Sequence, residues 1–361
     1  MNNESLIIRV STPSRNYSVR IGRGLLQSCG LLASQLGLEN RIVLLHDEAV
    51  KMYAYQIIDS LKGYGFKPEI IAIASGEKSK SFRTLEAIVK KLAEMKLDRK
   101  STLLALGGGV TGDLVGFAAS IFLRGISFIL IPTTLLAMVD SSIGGKTGIN
   151  LPQGKNLIGS FYQPLEVWID PEVLHTLSPR LLSAGMAEVI KYGMIAEEKL
   201  LEEIEKKEEA NLLDLIKRSV EIKAKIVSED EQEKTGKRAI LNFGHTLGHA
   251  LEAANKYKDL LHGEAIAIGM HAACLLSHWL LSFPLSSIER LKHILQLYSL
   301  PLIAKGFSKQ AIFHALDLDK KRVQGVNSWI LLQSIGFPVI SKEVKKADVD
   351  RVLKEIVVQG H

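Results

Sequence analysis

Cysteine is almost missing from this chain. Two residues, Cys29 and Cys274, stand in 361, with no Cys-x-x-Cys pair. Two thiols build no disulfide framework, so a reducing compartment is expected. Long hydrophobic runs are missing too. None reaches the roughly 18 residues of a spanning helix, and the longest, Phe128 to Val139, is broken by Pro132, Thr133 and Thr134. The opening residues lack the basic and apolar segments of a secretory signal. A cytoplasmic protein that meets no membrane is the expectation. Internal repeats, low-complexity tracts, Arg-rich helices and zinc-finger spacings are also absent. The net charge of +6 comes from dispersed lysines, so no nucleic-acid partner is expected; a small anionic substrate in a basic cleft needs fewer assumptions.

What is present has the size of two domains of roughly 150–200 residues. Apolar runs at Leu6–Val10 and Tyr17–Ile21 predict an opening pair of strands. Strands Ile42–Leu45, Ile70–Ala74, Thr102–Leu106 and Phe128–Ile131 then alternate with helical patterns at Ala49–Leu61, Phe82–Met95 and Leu114–Phe122. That alternation predicts an α/β domain with a parallel sheet, over residues 1–176. Proline is absent from Arg180 to Asn255, and helical patterns recur at Glu264–Leu281 and Ser286–Tyr298. Residues 177–361 are therefore expected to form a mostly helical domain. The charge-rich run Glu197–Glu209 reads as a solvated helix face and is given no role.

Thr102–Leu106 runs into Gly107-Gly108-Gly109-Val110-Thr111-Gly112-Asp113 and an apolar helix. Gly107, Gly109 and Gly112 meet the GxGxxG spacing in strand–turn–helix context, which suits a pyrophosphate at a helix N-terminus. The turn comes later in the chain than in an ordinary dinucleotide fold, so a merely tight turn stays open. Asp47, just past a strand, is a candidate for a ribose hydroxyl, and Ser75–Lys80 forms a second polar turn. Thr133 and Thr134 could bond a phosphate; taken alone they read as helix caps. The glycine-rich stretch from Asp140 to Phe161 reads either as a surface loop or, through Lys146 and Lys155, as a phosphate or polyol site. It lacks the upstream glycine of a P-loop.

Asn242-Phe243-Gly244-His245-Thr246-Leu247-Gly248-His249 sets two histidines on one helical face, with His262-Gly263-Glu264 following. A divalent-metal constellation is expected, and spacing alone would pair His245 with His249. Thr246 stands where an HExxH protease has its glutamate, so that class is disfavoured.

In order along the chain, SGEKSK, GGGVTGD, RGI, IPTTLLAMVDSSIGGKTGIN, GKNLIGSFYQP, AEVIKYG, LNFGHTLGHA and HGEAIAIGM, with Asp319–Lys321 near the end, resemble the 3-dehydroquinate synthase family. The resemblance runs from about Asp47 to Gly336, and the ordered set is specific where each piece is weak. It implies an α/β NAD-binding, Rossmann-like N-terminal domain and a mostly α-helical, metal-binding C-terminal domain. NAD would be held by Asp47, Ser75, Gly76, Glu77, Lys80, Gly109, Val110, Gly112, Asp113, Thr133, Thr134 and Thr176. Lys146 and Lys155 would lie between cofactor and substrate. Zinc, with cobalt as an alternative, would take Glu188, His245 and His262, leaving His249 to face the substrate phosphate. Asn156 and Lys191 would contact substrate, and Arg124 would reach the phosphate site of a neighbouring subunit in a homodimer. Lys223, Arg238 and Asn242, joined by Lys320 or Lys321, would hold the substrate's carboxylate and hydroxyls. The segment from Asp230 to Arg238 is one residue longer than the family's usual spacing, which leaves any role for Glu233 open. The chain beyond Gly336 carries no motif of the family.

The implied substrate is a small anionic sugar phosphate, 3-deoxy-D-arabino-heptulosonate 7-phosphate. The implied reaction is transient oxidation by NAD, phosphate elimination, re-reduction, ring opening and intramolecular aldol closure, with no net redox change. A zinc ion chelating adjacent hydroxyls would polarise the transient ketone, and three protein ligands would leave it open positions. Related sugar-phosphate cyclases and metal-dependent polyol dehydrogenases are the competing enzyme readings; a catalytically dead metabolite-binding regulator is the non-enzyme one.

Overall fold

The structure is a computed structural model that describes residues 5–39, 41–255, 260–318 and 328–358. The chain folds into two compact units, Met1–Leu177 with Lys223–Gln232, and Ser178–Ile222 with Glu233–His361. The first transition comes one residue after the position read from sequence, and ten residues from the helical half group with the first unit.

The first unit is built on a seven-stranded sheet. Its strands are β1 (Leu6–Ser11), β2 (Asn16–Ile21), β3 (Ile42–Asp47), β4 (Glu69–Ile73), β5 (Thr102–Gly107), β6 (Ser127–Pro132) and, after a separate hairpin of β7 (Lys146–Leu151) and β8 (Gly154–Phe161), β9 (Glu166–Ile169). Their order is β1-β2-β9-β6-β5-β3-β4. The β1–β2 pair is antiparallel, and β2–β9, β9–β6, β6–β5, β5–β3 and β3–β4 are parallel. Every residue of β5 is buried, as expected of a central strand covered on both faces. Helices α1 (Cys29–Gln35), α2 (Lys51–Gly63), α3 (Phe82–Glu94) and α4 (Gly109–Ile121) complete the alternation. The chain leaves β3 for β4 on one side and returns to β5 on the other. The carboxyl ends of β3 and β5 therefore form a topological switch point, where open sheets of this kind bind ligands.

Two elements of this unit differ from the sequence reading. The sheet gains a strand that the sequence did not reveal, because β9 inserts between β6 and β2. Its Glu166 is buried and takes both Arg20, at 2.7 and 3.0 Å, and the Trp168 indole, at 2.7 Å. The glycine-rich stretch is no simple loop either. A π-helical turn over Ala137–Ser141 leads into the β7–β8 hairpin. Such turns are often found at functional sites.

The second unit contains α5 (Pro179–Ile195), α6 (Glu198–Glu205), most of α7 (Leu212–Glu229), α8 (His245–Ala254), α9 (His262–Leu281), α10 (Leu285–Leu297), β10 (Ala304–Lys305), α11 (Lys309–Leu318), the hairpin β11 (Trp329–Ser334) and β12 (Phe337–Ser341), α12 (Lys346–Ile356) and β13 (Val357–Val358). The run after Gly336, silent in sequence, thus supplies two strands and a helix. Val349, Val352, Leu353 and Ile356 of α12 join Leu247, Leu251, Ile268 and Leu276 in one apolar core. Helix α9 is long and apolar enough to cross a membrane, but two thirds of that stretch is buried inside the protein (67%).

Candidate functional site

In the first unit the polar residues gather at the carboxyl ends of the strands. Asp47 ends β3 and caps the next turn, accepting from the Ala49 amide at 2.9 Å and from the Ser75 hydroxyl. The glycine turn after β5 opens α4. A Cβ on Gly109 would meet Ser141 Oγ at 2.9 Å, and one on Gly112 would meet Leu130 Cδ2 at 3.3 Å, so both positions depend on close approach. Val110 lies in the first turn of α4. Thr111 Oγ1 and Ser141 Oγ, beside this turn, are buried with no hydrogen-bond partner. Buried hydroxyls in that state fit a site whose ligand brings its own polar atoms.

After β6, the Thr133 amide donates to Gly107 carbonyl at 2.9 Å, and Thr134 Oγ1 accepts from the Ala137 amide at 3.2 Å. Thr134 is therefore a cap, as read in isolation, with its hydroxyl proton still available to donate. Lys80 is buried, and its ammonium pairs with Asp113 and donates to Asn156 Oδ1. Burial pushes the Asp113 carboxyl up, while Lys80 opposes that rise. Asn156 adopts a left-handed backbone (φ 54°), and its amide donates to Asn150 Oδ1 at 2.9 Å. Asn150 in turn donates to Glu77 Oε1 at 2.7 Å, after the turn that begins at Gly76. Glu77, Lys80, Asp113, Asn150 and Asn156 thus form one connected polar network.

Lys146 is exposed at the start of β7, and Lys155 lies on β8 next to Asn156. Lys223 donates to both the carbonyl and the carboxylate of Asp140, each at 2.7 Å, which fixes its charge beside the π-helical turn. Thr176 Oγ1 is held by Val173 carbonyl at 3.0 Å and by Tyr53 Oη at 3.1 Å. Arg124 is exposed, away from this network, on a turn whose residues Leu123, Arg124 and Gly125 all have positive φ (50°, 65° and 121°). Left-handed backbone at consecutive non-glycine residues costs about 1–2 kcal/mol each.

The second unit holds the other cluster, on three helices. Glu188 comes from α5, His245 from the start of α8 and His262 from the start of α9. Glycines let these helices meet: a Cβ on Gly263 would fall 1.9 Å from Ala184 carbonyl on α5, and one on Gly269 1.9 Å from Gly244 carbonyl before α8. His245 Nε2 and His262 Nε2 approach the same atom, Glu188 Oε1, at 3.4 and 3.5 Å. Ligand atoms about 2.0–2.1 Å from a tetrahedral zinc lie roughly 3.3 Å apart, so this spacing suits a shared ion. The three ligand atoms lie within 4.8 Å of one another.

Each ring is oriented from behind. His245 Nδ1 lies 3.1 Å from Phe243 carbonyl, and His262 Nδ1 lies 3.3 Å from Glu252 Oε2. Both partners accept only, so Nδ1 donates and Nε2 is left to bind a cation. Glu188 is fully buried, pairs with Lys191, and has neither oxygen in a well-formed hydrogen bond. That state fits a carboxylate whose proper partner is a metal. Burial would raise the Glu188 carboxyl, but Lys191 and His245 hold it well below the usual range. Burial lowers His245. Burial would lower His262 as well, but Glu188 and Glu252 on its two sides push it up to about 10.

The His249 ring meets His245 edge-on, with centroids 5.3 Å apart, and lies tilted against His262 at 5.9 Å. Arg238 is buried, with Glu233 Oε1 3.8 Å from its Nε, and Asn242 ends the same short 3-10 turn, Lys237–Asn242. Glu233, whose role the sequence left open, thus lies beside Arg238. Glu231, in the first unit, accepts from the Ser14 amide at 3.1 Å and from Gln163 Nε2 at 2.8 Å. Lys320 and Lys321 lie outside the described residues. Sequence reasoning missed Asn150, Asp140 and Glu252. Only Glu252 had a local signal, seven residues after His245 on the same helical face.

Comparison with known proteins gives concordant matches. The family described as 3-dehydroquinate synthase N-terminal matches residues 70–184, and 3-dehydroquinate synthase C-terminal matches residues 185–322. A 3-dehydroquinate synthase of Methylacidiphilum infernorum is 72% identical, covering 99% of this chain and 100% of its own. Among solved structures, 2-deoxy-scyllo-inosose synthase complexed with carbaglucose-6-phosphate, NAD+ and Co2+ superposes with a TM-score of 0.86 at 28% identity, covering 97% of this chain and 99% of its own. The 2-epi-5-epi-valiolone synthase of Streptomyces hygroscopicus with NAD+ and Zn2+ bound gives a TM-score of 0.87, also at 28% identity, over 96% of this chain and 99% of its own.

Proposed function

This chain belongs to the 3-dehydroquinate synthase family, and from that premise we propose which of its residues carry the reaction. The enzyme converts 3-deoxy-D-arabino-heptulosonate 7-phosphate into 3-dehydroquinate and phosphate, a step of the shikimate pathway toward aromatic amino acids, using NAD and a divalent metal. When bound, NAD would supply reversible hydride transfer, and a zinc or cobalt ion would supply Lewis-acid polarisation of adjacent hydroxyls and of a ketone.

Glu188, His245 and His262 hold the metal. The observation that carries this reading is the convergence of two imidazole Nε2 atoms on one buried carboxylate oxygen at 3.4 and 3.5 Å. Without a cation or a proton between them, those lone pairs repel. Lys191, paired with Glu188, places a positive charge beside the oxygen that develops charge in the oxidised substrate. In the first unit, Asp47 and Ser75 hold the ribose, and the turn at Gly109, Val110 and Gly112 accommodates the pyrophosphate. Gly76, Glu77, Lys80, Asp113, Thr133, Thr134 and Thr176 complete that site around the switch point of the sheet. Lys146 and Lys155 lie between cofactor and substrate, and Asn156 contacts the substrate.

The anionic ends of the substrate are fixed by charge. Lys223 is already locked onto Asp140, so it costs little further side-chain entropy when it meets a carboxylate. Arg238 and Asn242 add a planar fork and an amide for the carboxylate and hydroxyls. His249 faces the phosphate. No protein side chain is assigned as a strong general base; the departing phosphate itself serves to take the proton.

The protein is cytoplasmic and acts as a homodimer in this reading. Two buried cysteines suit a reducing compartment. Ile121, Leu123, Leu157 and Phe161 of the first unit are 40–45% exposed, an apolar surface beside the strained Arg124 turn that suits a second copy of the chain.

The test is metal content after dialysis. Glu188→Ala and His262→Ala proteins, folded by circular dichroism, are expected to lose zinc that the parent keeps at one ion per chain. Either variant retaining a full complement of zinc would overturn the ligand assignment.

A further inference from the structure

We infer that Glu252 is a positioning residue for the metal site: its carboxylate locks the His262 ring in place and strengthens that ring's Nε2 as a ligand. The inference rests on the reading that Glu188, His245 and His262 hold the ion, and it adds a residue that touches none of the reacting atoms.

Helix α8 carries His245, His249 and Glu252 at i, i+4 and i+7, so all three project from one face. Glu252 is 3% exposed. A carboxylate at that depth is costly unless it meets a cation or a strong donor. Its Oε2 lies 3.3 Å from His262 Nδ1, while Nε2 of the same ring lies 3.5 Å from Glu188 Oε1. The ring is thus held between two carboxylates, one behind it and one across the metal position. An acceptor-only oxygen at Nδ1 fixes the proton there and leaves the Nε2 lone pair directed at the ion.

The contrast with His245 gives the arrangement its meaning. Its Nδ1 donates to a neutral peptide carbonyl, that of Phe243. His262 donates to a full negative charge, which makes its Nε2 the stronger donor of the two. His262 also needs the outside support more. It opens α9, and its side chain is 31% exposed against 10% for His245. With less packing to hold it, the ring takes its orientation from Glu252.

A competing arrangement is present in the same atoms. His249, Glu252 and His262 also bring ligand atoms within 4.8 Å of one another. An ion there would take His262 through Nδ1 and strip Glu188 of its partner. Glu188, fully buried with both oxygens outside any well-formed hydrogen bond, is the carboxylate that most needs the charge. The first arrangement is therefore the one proposed.

The experiment uses the full chain loaded with zinc or with cobalt. Affinity is read by competition with a chromophoric chelator, and ligand field by the visible absorption of the cobalt form. Glu252→Gln keeps shape and an acceptor oxygen but loses charge. It is expected to weaken zinc about 10–100-fold, with the cobalt bands shifted but of similar intensity. Glu252→Ala, losing orientation as well, is expected to bind more weakly still, and kcat should fall more than KM rises in both. If Glu252→Gln binds zinc within about twofold of the parent with unshifted cobalt bands, Glu252 is a packing residue and the inference fails. Complete loss of the ion from Glu252→Gln would make Glu252 a direct ligand and equally overturn it. Because the glutamine variant is isosteric, it carries the test even if the alanine protein misfolds. A His245→Ala protein measured alongside separates the two failures. Zinc retained at parental affinity there sinks the ligand reading itself; zinc lost there but unaffected in Glu252→Gln sinks only the inference.

Discussion

In the proposed metal site, a proton and the ion would compete for the same nitrogen of His262. With Glu188 and Glu252 on either side, its pKa is pushed up to about 10 in the metal-free protein, while burial lowers that of His245. A folded-state pKa raised in this way means that the ring holds its proton below that value, and metal entry must expel it. One proton is expected to leave per ion bound. Apparent zinc affinity should therefore rise roughly tenfold per pH unit across neutrality and level off as pH approaches the His262 value. Chelator competition at several pH values checks the slope, and a flat dependence would remove the shared-proton account. Lys146 makes a separate prediction. Its side chain is exposed on β7 and supports no core, so Lys146→Ala should melt at the parental temperature. Turnover should nonetheless fall by about a hundredfold or more, if its charge acts on the reacting groups. Near-normal turnover would count against the site as drawn. At this scale the sequence was partly legible. Two histidines four apart announce a helix face, but spacing alone pairs His245 with His249, whereas the fold aims His245 and His262 at Glu188. Glu188 lies far upstream on another helix, and no local pattern connects it to them; only the ordered family motifs did.

Among elements, the crossing of α5, α8 and α9 sets the geometry of Glu188, His245 and His262. Gly263 and Gly269 are where the backbones touch, and neither site has room for a methyl group. Gly269→Ala is expected to destabilise the protein by about 1–3 kcal/mol and to weaken zinc binding, because the helix start carrying His245 must move. Denaturant unfolding of the metal-free variant, with chelator competition beside it, measures both; unchanged stability would mean that the helices have slack. The parallel core of the first unit was readable because β3, β5 and β6 are apolar runs bounded by turn residues. Strand β9 was not: it has four residues, follows a proline, and buries Glu166 through its pairing with Arg20. The β7–β8 hairpin was hidden for another reason. Its glycines, lysines and asparagines have low strand propensity, and its pairing is fixed by the partner strand rather than by an apolar alternation.

As a whole molecule, this chain of the 3-dehydroquinate synthase family has an α/β unit with a switch point between β3 and β5, and a helical unit in which Glu188, His245 and His262 bring three ligand atoms together. If Arg124 serves the phosphate site of a second copy, two inactive variants should complement. Arg124→Ala and His245→Ala proteins, each inactive alone, should regain roughly a quarter of parental activity when unfolded together and refolded, since half the dimers are mixed and hold one intact site. No recovery, from a mixture shown to contain hybrid dimers, would place Arg124 in its own subunit's site or outside catalysis. The central claim, a redox-neutral elimination and cyclisation that needs both cofactors, is tested most directly by inorganic phosphate release from 3-deoxy-D-arabino-heptulosonate 7-phosphate. The assay is run with and without NAD, after chelation and after zinc add-back. Release that requires NAD and metal together, with no NADH accumulating, is the predicted result. Absence of release, or steady accumulation of NADH on a simple polyol, would contradict it.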